Sequence, residues 1–337
     1  MHEARQYVKQ ENNAVKCSLC SHRCTINDGK HGICGVRVNE HGSLKAMTYG
    51  RISAEAVDPI EKKPLFHYLP GTLSYSLGSI GCNFHCEHCQ NWHISRAGLD
   101  GAMLRSLAPE EGVKRALASG SASISWTYNE PTIWHEYALD MGTLAKAKGL
   151  GTVYVTNGYI TEEALRELAP MLGAFRVDLK AFTDDFYKKI CGAKLQPVLD
   201  SAQLAKELGM HVETVTLVIP GLNDSMEEQE NLIRWVIEHL GPDTPMHFSA
   251  FHPDYKMLNR GATPVATLEK IYKKAKALGL RFPYLGNVPR NTYENTYCPH
   301  CNTTLIERQG FSSRFVALDG NQCTNCGEKI EIVRHVS

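Results

Sequence analysis

Eleven of the twelve cysteines in this 337-residue chain fall into three tight groups, and thiolates at such spacings are metal ligands more readily than disulfide partners. The middle group, Cys82, Cys86 and Cys89, has the spacing C-x3-C-x2-C within Gly81-Cys82-Asn83-Phe84-His85-Cys86-Glu87-His88-Cys89-Gln90-Asn91. Three thiolates are one short of a closed tetrahedral site, and a 4Fe-4S cluster ordinarily takes four cysteines. Three therefore imply an iron with an open position, available to a cofactor or substrate. The competing reading of the spacing is a zinc site completed by His85, His88 or His93.

The other two groups can each close a site alone. Cys298-x2-Cys301-x21-Cys323-x2-Cys326 reads as a zinc ribbon with paired knuckles, or as a rubredoxin-like iron. Cys17-x2-Cys20-x3-Cys24-x9-Cys34 suits either a zinc knuckle, the favoured assignment, or a second 4Fe-4S cluster relaying electrons. Cys191 stands alone and is most simply a free thiol.

Length and charge limit the classes of function. The chain has room for one large α/β domain with small appendages. Lys plus Arg equals Asp plus Glu at 36 each, so no bulk field draws the molecule to nucleic acid or anionic lipid. From Cys298 onward there are four basic and four acidic residues, which makes nucleic-acid binding by the ribbon an unfavoured expectation. Docking a partner or closing the mouth of the main domain are the expected roles for that tail. No apolar run approaches a membrane span, and the polar start MHEARQYVKQENN is unlike a secretion signal, so a cytoplasmic location without membrane association is expected.

The elements that must position the cysteines alternate between β-rich runs and amphipathic helical stretches. Strands are predicted over 74–80, 121–126, 152–156, 175–180, 211–219 and 246–251. Helices are predicted over 109–118, 132–148, 162–172, 184–190, 197–208, 226–240 and 265–278. Six βα units suit an open, partial (β/α)6 TIM-type barrel better than a closed barrel of eight. The fold class is thus α/β, with small Cys-rich metal-binding extensions at both ends. The expected division is 1–69 for the N-terminal metal-binding segment, 70–292 for the partial barrel and 293–337 for the ribbon. Polar residues after each strand should collect at one mouth, where such folds place their chemistry.

The loop Cys82–Asn91, placed after the first strand of this barrel, resembles the signature loop of the radical S-adenosylmethionine (SAM) superfamily. CNFHCEHCQN is similar to the loop of pyruvate formate-lyase activating enzymes, with likeness over roughly residues 70 to 290. The N-terminal cysteines, Tyr284-Leu-Gly-Asn287-Val-Pro289 and Glu294-Asn-Thr-Tyr-Cys-Pro-His-Cys301 resemble, nearly end to end, the radical enzyme of the AmmeMemoRadiSam system.

The resemblance implies a 4Fe-4S cluster that reductively cleaves SAM to methionine and a 5'-deoxyadenosyl radical, which then takes hydrogen from a substrate. It implies a flavodoxin or ferredoxin donor and two companion proteins. By the same resemblance, His88 contacts adenine, Glu130 receives the methionyl amino group, Asn157 is a polar contact, Asp178 and Lys180 meet the SAM carboxylate, and His252 lies near the ribose. Thr127 and Tyr128 stand where the superfamily has two glycines before Glu130, and Val155 stands where the activating enzymes have Asp. Alternatives are a helix N-terminal acid for Glu130, a structural Asp178–Lys180 pair and a surface position for His88. Tyr128, Asn287 and Arg290 are candidates for the substrate wall.

Three functions are consistent with these readings: a radical enzyme acting on a small metabolite or a macromolecule, an activase installing a glycyl radical on a partner protein, and a nonenzymatic scaffold holding three zinc ions.

Overall fold

A computed structural model describes residues 2–100, 102–289 and 291–336. Its centre is an eight-stranded sheet in which spatial order follows sequence order. The elements, in chain order, are β1 (Ala54–Pro59), β2 (Leu73–Gly78), α1 (Pro109–Ala118), β3 (Ser123–Trp126), α2 (His135–Ala147), β4 (Gly151–Thr156), α3 (Glu162–Leu168), β5 (Ala174–Asp178), α4 (Gln196–Glu207), β6 (His211–Val218), α5 (Met226–His239), β7 (Met246–Ala250), α6 (Val265–Ala277) and β8 (Pro283–Gly286). Strands β2 to β8 are parallel, whereas β1 pairs antiparallel with β2. No described helix is long and apolar enough to cross a membrane.

The six predicted strands are present, and two strands join them. β8 makes a seventh parallel strand where six units were expected. It has only four residues, bounded by Pro and Gly, too little for a strand signal. β1 ends in Pro and carries two acidic residues, the composition of an edge strand. It draws residues 54–59 from the first segment into the main sheet.

Strands β3 and β4 are covered on both faces, as a parallel sheet requires, and read as continuous apolar or small-residue runs. Helix α3 stops at Leu168 and not at the expected 172: Ala169 still has helical backbone, but Pro170 has no N–H with which to continue the hydrogen-bond ladder. The helical stretch after β5 starts as α at Asp184–Phe186 and widens into a π-turn at Tyr187–Cys191. Gly192 closes it in the left-handed conformation, with φ of 70°.

The two Cys-rich extensions occupy opposite ends. The N-terminal segment builds two small antiparallel sheets, one from Tyr7–Lys9, Val15–Cys17 and Thr25–Ile26, the other from His2–Glu3, Arg37–Glu40 and Ser43–Ala46. It leans on the segment after β4, where Ser21 N donates to Tyr159 O at 3.2 Å and Thr161 N to Leu19 O at 3.2 Å. This is the carboxyl end of the strands, the mouth. A buried ion pair fastens it further: the Arg37 guanidinium holds Glu136 of α2 in a bidentate grip at 2.7 and 3.0 Å.

The C-terminal extension packs beneath the sheet, at the amino ends of the strands, and does not close the mouth as one expectation held. Buried Arg308 donates to Phe66 O at 2.8 Å and Thr296 Oγ1 at 2.8 Å, and its guanidinium lies 4.1 Å from the Phe66 ring centroid. Leu69 N donates to Val333 O at 2.7 Å, just ahead of β2. Glu213, near the start of β6, accepts from Phe66 N, His67 N, His211 and His247, so its buried carboxylate is satisfied.

Candidate functional site

The loop after β2 carries Cys82, Cys86 and Cys89 across the mouth, and neighbouring strand ends hold it there. Asn129, after β3, accepts from Ser79 N at 2.9 Å and donates to Gly81 O at 3.1 Å, which fixes the entry to the loop. Gly81 has φ of 82°, and a Cβ there would lie 2.7 Å from Cys34 O, so only glycine fits. At the exit, Ser95 Oγ sits 3.2 Å from the Cys89 sulfur. The middle of the loop docks on the π-turn: His85 N donates to Cys191 O at 2.8 Å and Glu87 N to Ile190 O at 3.1 Å. The buried Cys191 thiol also hydrogen-bonds the Cys86 sulfur and draws that thiol's pKa down.

The three sulfurs of this loop are not gathered as tightly as those of the C-terminal group. Four thiolates at about 2.3 Å from one ion lie roughly 3.8 Å apart. The C-terminal group meets that demand: all four sulfurs of Cys298, Cys301, Cys323 and Cys326 lie within 4.8 Å of one another, with Cys298 to Cys326 at 3.5 Å and Cys301 to Cys323 at 3.7 Å. Among the described residues no other group of three or more Cys, His, Asp or Glu ligand atoms converges so closely. Neither Cys82, Cys86 and Cys89 nor these with His85, His88 or His93 gather to that degree. A polynuclear cluster spreads its ligands further apart and suits the observed spacing.

The strand ends supply the polar groups. His88 is buried, and burial and then the nearby Lys180 charge push its imidazole down to about 3. Its Nδ1 has no hydrogen-bond partner, an orphan atom in a wall that would otherwise be closed. At the end of β5, alternation sends Arg176, Asp178 and Lys180 to one face. Asp178 accepts from Arg176 and, at 2.9 Å, from Lys180 Nζ. Burial would raise the Asp178 carboxyl, but the two cations outweigh it and hold the group at about 2. Lys180 is cationic in turn, its pKa lowered by burial but raised further by Asp178 and by the Cys86 sulfur. Arg176 went unnoticed in the sequence, although its spacing of two from Asp178 was available.

Glu130 is buried beneath the mouth. Its carboxylate caps the short helix Pro131–Trp134 by accepting from Thr132 N at 2.9 Å, and accepts also from Thr156 Oγ1 at 2.6 Å and Asn157 N at 2.8 Å. Burial raises its pKa. Three of roughly four acceptor directions are thus used inside the protein, joining the end of β3 to the end of β4. Asn157 turns towards the cysteine loop, donating to Asn83 Oδ1 at 2.8 Å and reaching the Cys82 sulfur at 3.8 Å. Asn83 shows no pattern in the sequence that would have singled it out.

Of the two residues replacing the superfamily's glycines, one keeps a glycine-like backbone. Tyr128 adopts φ of 72°, a left-handed conformation that costs an ordinary side chain roughly 1–2 kcal/mol. Its hydroxyl donates to Asp58 at 2.6 Å and its ring lies under Lys63 Nζ at 5.1 Å. Tyr128 is therefore anchored to β1. Asp58 also takes Lys62 at 2.8 Å and Lys63 at 2.6 Å, and this cluster too was not foreseen.

At the rim, His252 is exposed and its Nε2 accepts from the Gln90 amide at 3.0 Å, across from the end of the loop. Asn287, with φ of 59°, donates to Ala250 O at 3.0 Å. Arg290 lies outside the described residues.

Comparison with known proteins agrees with this arrangement. Residues 77–236 match the Radical SAM superfamily. An uncharacterized protein of Methanocaldococcus jannaschii is 45% identical over 335 residues, covering 99% of this chain and 100% of its own. The pyruvate formate-lyase-activating enzyme of Clostridium pasteurianum is 24% identical over 221 residues, 59% of this chain and 88% of its own. Among solved structures, Streptococcus suis SuiB bound to precursor peptide SuiA superposes with a TM-score of 0.51 at 14% identity, over 68% of this chain and 52% of that one, a likeness of fold. With the three-cysteine loop at the mouth of a largely parallel open sheet, residues 77–236 of the chain form a radical SAM domain.

Proposed function

We propose that this protein is a radical SAM enzyme of the AmmeMemoRadiSam type, acting on a small metabolite or on a macromolecule other than a glycyl-radical partner. The observation that carries the reading is the trio Cys82, Cys86 and Cys89 at the mouth, one ligand short of a closed cluster. When bound, a 4Fe-4S cluster and SAM together supply one-electron cleavage of the sulfonium and a 5'-deoxyadenosyl radical for hydrogen abstraction.

The chain's own residues bind, orient and shield. Cys82, Cys86 and Cys89 would hold three irons and leave the fourth open. Lys180 would neutralise the SAM carboxylate, while Asp178, itself held by Arg176, keeps the Lys180 ammonium oriented and charged. Buried His88 offers its orphan Nδ1 and ring face to adenine. Exposed His252 stands where the ribose edge would lie. Glu130 has one acceptor direction left for the amino group, and its other bonds keep β3 and β4 in register beneath it. Asn157 positions Asn83 and the Cys82 sulfur. No group in this set is poised as a general base, which accords with hydrogen-atom transfer. A flavodoxin or ferredoxin would deliver the electron.

The test is anaerobic reconstitution of wild type and of the Cys82→Ala, Cys86→Ala, Cys89→Ala triple variant, followed by EPR with and without SAM and product analysis after dithionite. The expected result is a cluster signal altered by SAM and 5'-deoxyadenosine formed by wild type alone. An iron-loaded wild type that forms none would refute the proposal. The similarity to the Clostridium pasteurianum activating enzyme favours a second reading, an activase, which would leave a persistent radical on a partner protein.

A further inference from the structure

The four N-terminal cysteines surround a recess. Cys17, Cys20, Cys24 and Cys34 line about 300 Å³ of atom-free space, counting the part continuous with solvent, walled by Leu19, Ile26, Ile33 and Ile133. The small sheet explains how they face one another. Cys17 N donates to Cys24 O at 2.9 Å across the hairpin, and Arg23, with φ of 45°, turns the chain so that its N–H reaches Cys20 O at 2.9 Å. The sulfurs nevertheless fail to converge as the C-terminal four do, since those alone among the described residues gather within 4.8 Å. Two four-cysteine groups in one molecule thus differ in kind: one is drawn in around a point and the other stands back around a space.

We infer that Cys17, Cys20, Cys24 and Cys34 ligate a second 4Fe-4S cluster, in place of the zinc that their spacing first suggested. Arg37 supplies an independent observation. Its guanidinium is 1% exposed and lines the recess. Both terminal nitrogens are spent on Glu136, yet its Nε–H has no acceptor. A buried, unpaired donor of that kind is costly unless something accepts from it. The sulfurs of an anionic cluster are acceptors of the right charge, and hydrogen bonds to sulfur also tune such a centre.

The recess adjoins the catalytic loop. Cys34 O packs against Gly81, the residue before Cys82, and His22 Nε2, between Cys20 and Cys24, is hydrogen-bonded to Asn83 O at 2.7 Å. From the Gly81 contact and standard chain dimensions, Cys34 O lies within about 8 Å of the Cys82 Cα. The proposed cluster is thus next door to the first without sharing a ligand, and its existence does not depend on what the first one does.

The decisive measurement is iron, sulfide and zinc analysis, with Mössbauer spectroscopy, of anaerobically reconstituted wild type and of the Cys82→Ala, Cys86→Ala, Cys89→Ala variant. The expected counts per chain are eight iron, eight sulfide and one zinc in wild type, falling to four, four and one in the variant. The four irons that remain should give a reduced-cluster EPR signal that SAM leaves unchanged. A variant holding two zinc and no iron overturns the inference, as does any variant without four iron. Should the triple variant fail to fold, Cys20→Ser with Cys24→Ser in the otherwise intact protein must lower iron from eight to four while 5'-deoxyadenosine formation stays assayable. An iron count unchanged by that pair equally overturns it. Loss of SAM cleavage with eight irons in place would instead count against the catalytic proposal.

Discussion

Replacing Glu136 by Gln removes one charge from the buried pair that fastens the N-terminal segment to α2, with little change in volume. The side chains of Arg37 and Glu136 are 2% and 1% exposed. Burial alone would raise the Glu136 carboxyl, yet the Arg37 charge and its two hydrogen bonds overcome this and hold the group at about 2, against 4.5 for a free glutamate. At about 1.36 kcal/mol per pKa unit, that difference corresponds to about 3 kcal/mol of stability at neutral pH. The penalty for stranding one partner of a buried pair, about 3–5 kcal/mol, agrees in size.

The sign follows from linkage. A depressed folded-state pKa contributes stability that is complete above about 4.5 and is lost as pH falls towards about 2. Urea unfolding of the metal-loaded protein should therefore show a deficit of about 3 kcal/mol for Glu136→Gln, constant from pH 6 to pH 8. Hydrogen exchange should localise the early opening to residues 2–52. A deficit below about 1 kcal/mol, or one that changes between pH 6 and pH 8, would refute the argument.

Two further outcomes follow from named side chains. Glu294 is half-buried beside Arg308, and burial, opposed by that cation, lifts its carboxyl to about 7. Ionising it destabilises the fold as pH rises through the interval from about 4.5 to about 7, so Glu294→Gln should raise the unfolding free energy in urea at pH 8 more than at pH 5.5, by less than about 1 kcal/mol after solvent screening; an equal effect at both pH values would exclude the burial argument. Lys180→Met, which keeps the stem and deletes the ammonium, should weaken SAM binding by roughly 10–100-fold in equilibrium titrations while leaving iron content intact, the scale of one lost charged hydrogen bond; unchanged affinity would remove Lys180 from the site.

What was legible in the sequence was whatever depends on neighbours along the chain. β2 to β7 and the long helices follow from local periodicity and caps, such as Thr161, whose hydroxyl accepts from Ala164 N, and Ser225, which accepts from Glu228 N. The cysteine groups likewise declare themselves by spacing. The features that were missed rest on contacts far apart in sequence. The C-terminal extension sits under the sheet because His67 meets Glu331 O and Arg308 meets Phe66 O, separations of 264 and 242 residues that no periodicity records. Asn83 matters because Asn157 folds back onto it, 74 residues later. Tyr128 shows a subtler limit: the backbone conformation expected of glycine is kept by a tyrosine, whose hydroxyl is held by Asp58 on a strand absent from the sequence reading and whose ring is held by Lys63 just after it. Glu130 was legible as to type but ambiguous as to role, since capping and ligand binding call for the same residue.

The placement of the ribbon beneath the sheet makes the molecule one-ended. With Arg308, Glu213, His67 and Tyr284 packed across the floor, the described residues fill the end opposite the mouth. Whatever is consumed and whatever is released must pass the same rim, beside the stacked and partly exposed pair of Trp92 and Tyr255, whose rings lie 5.3 Å apart. Traffic through one entrance is sequential: each spent molecule has to clear the doorway before a fresh one can be admitted. The pace of departure therefore sets an upper bound on turnover, whatever the speed of the chemistry inside.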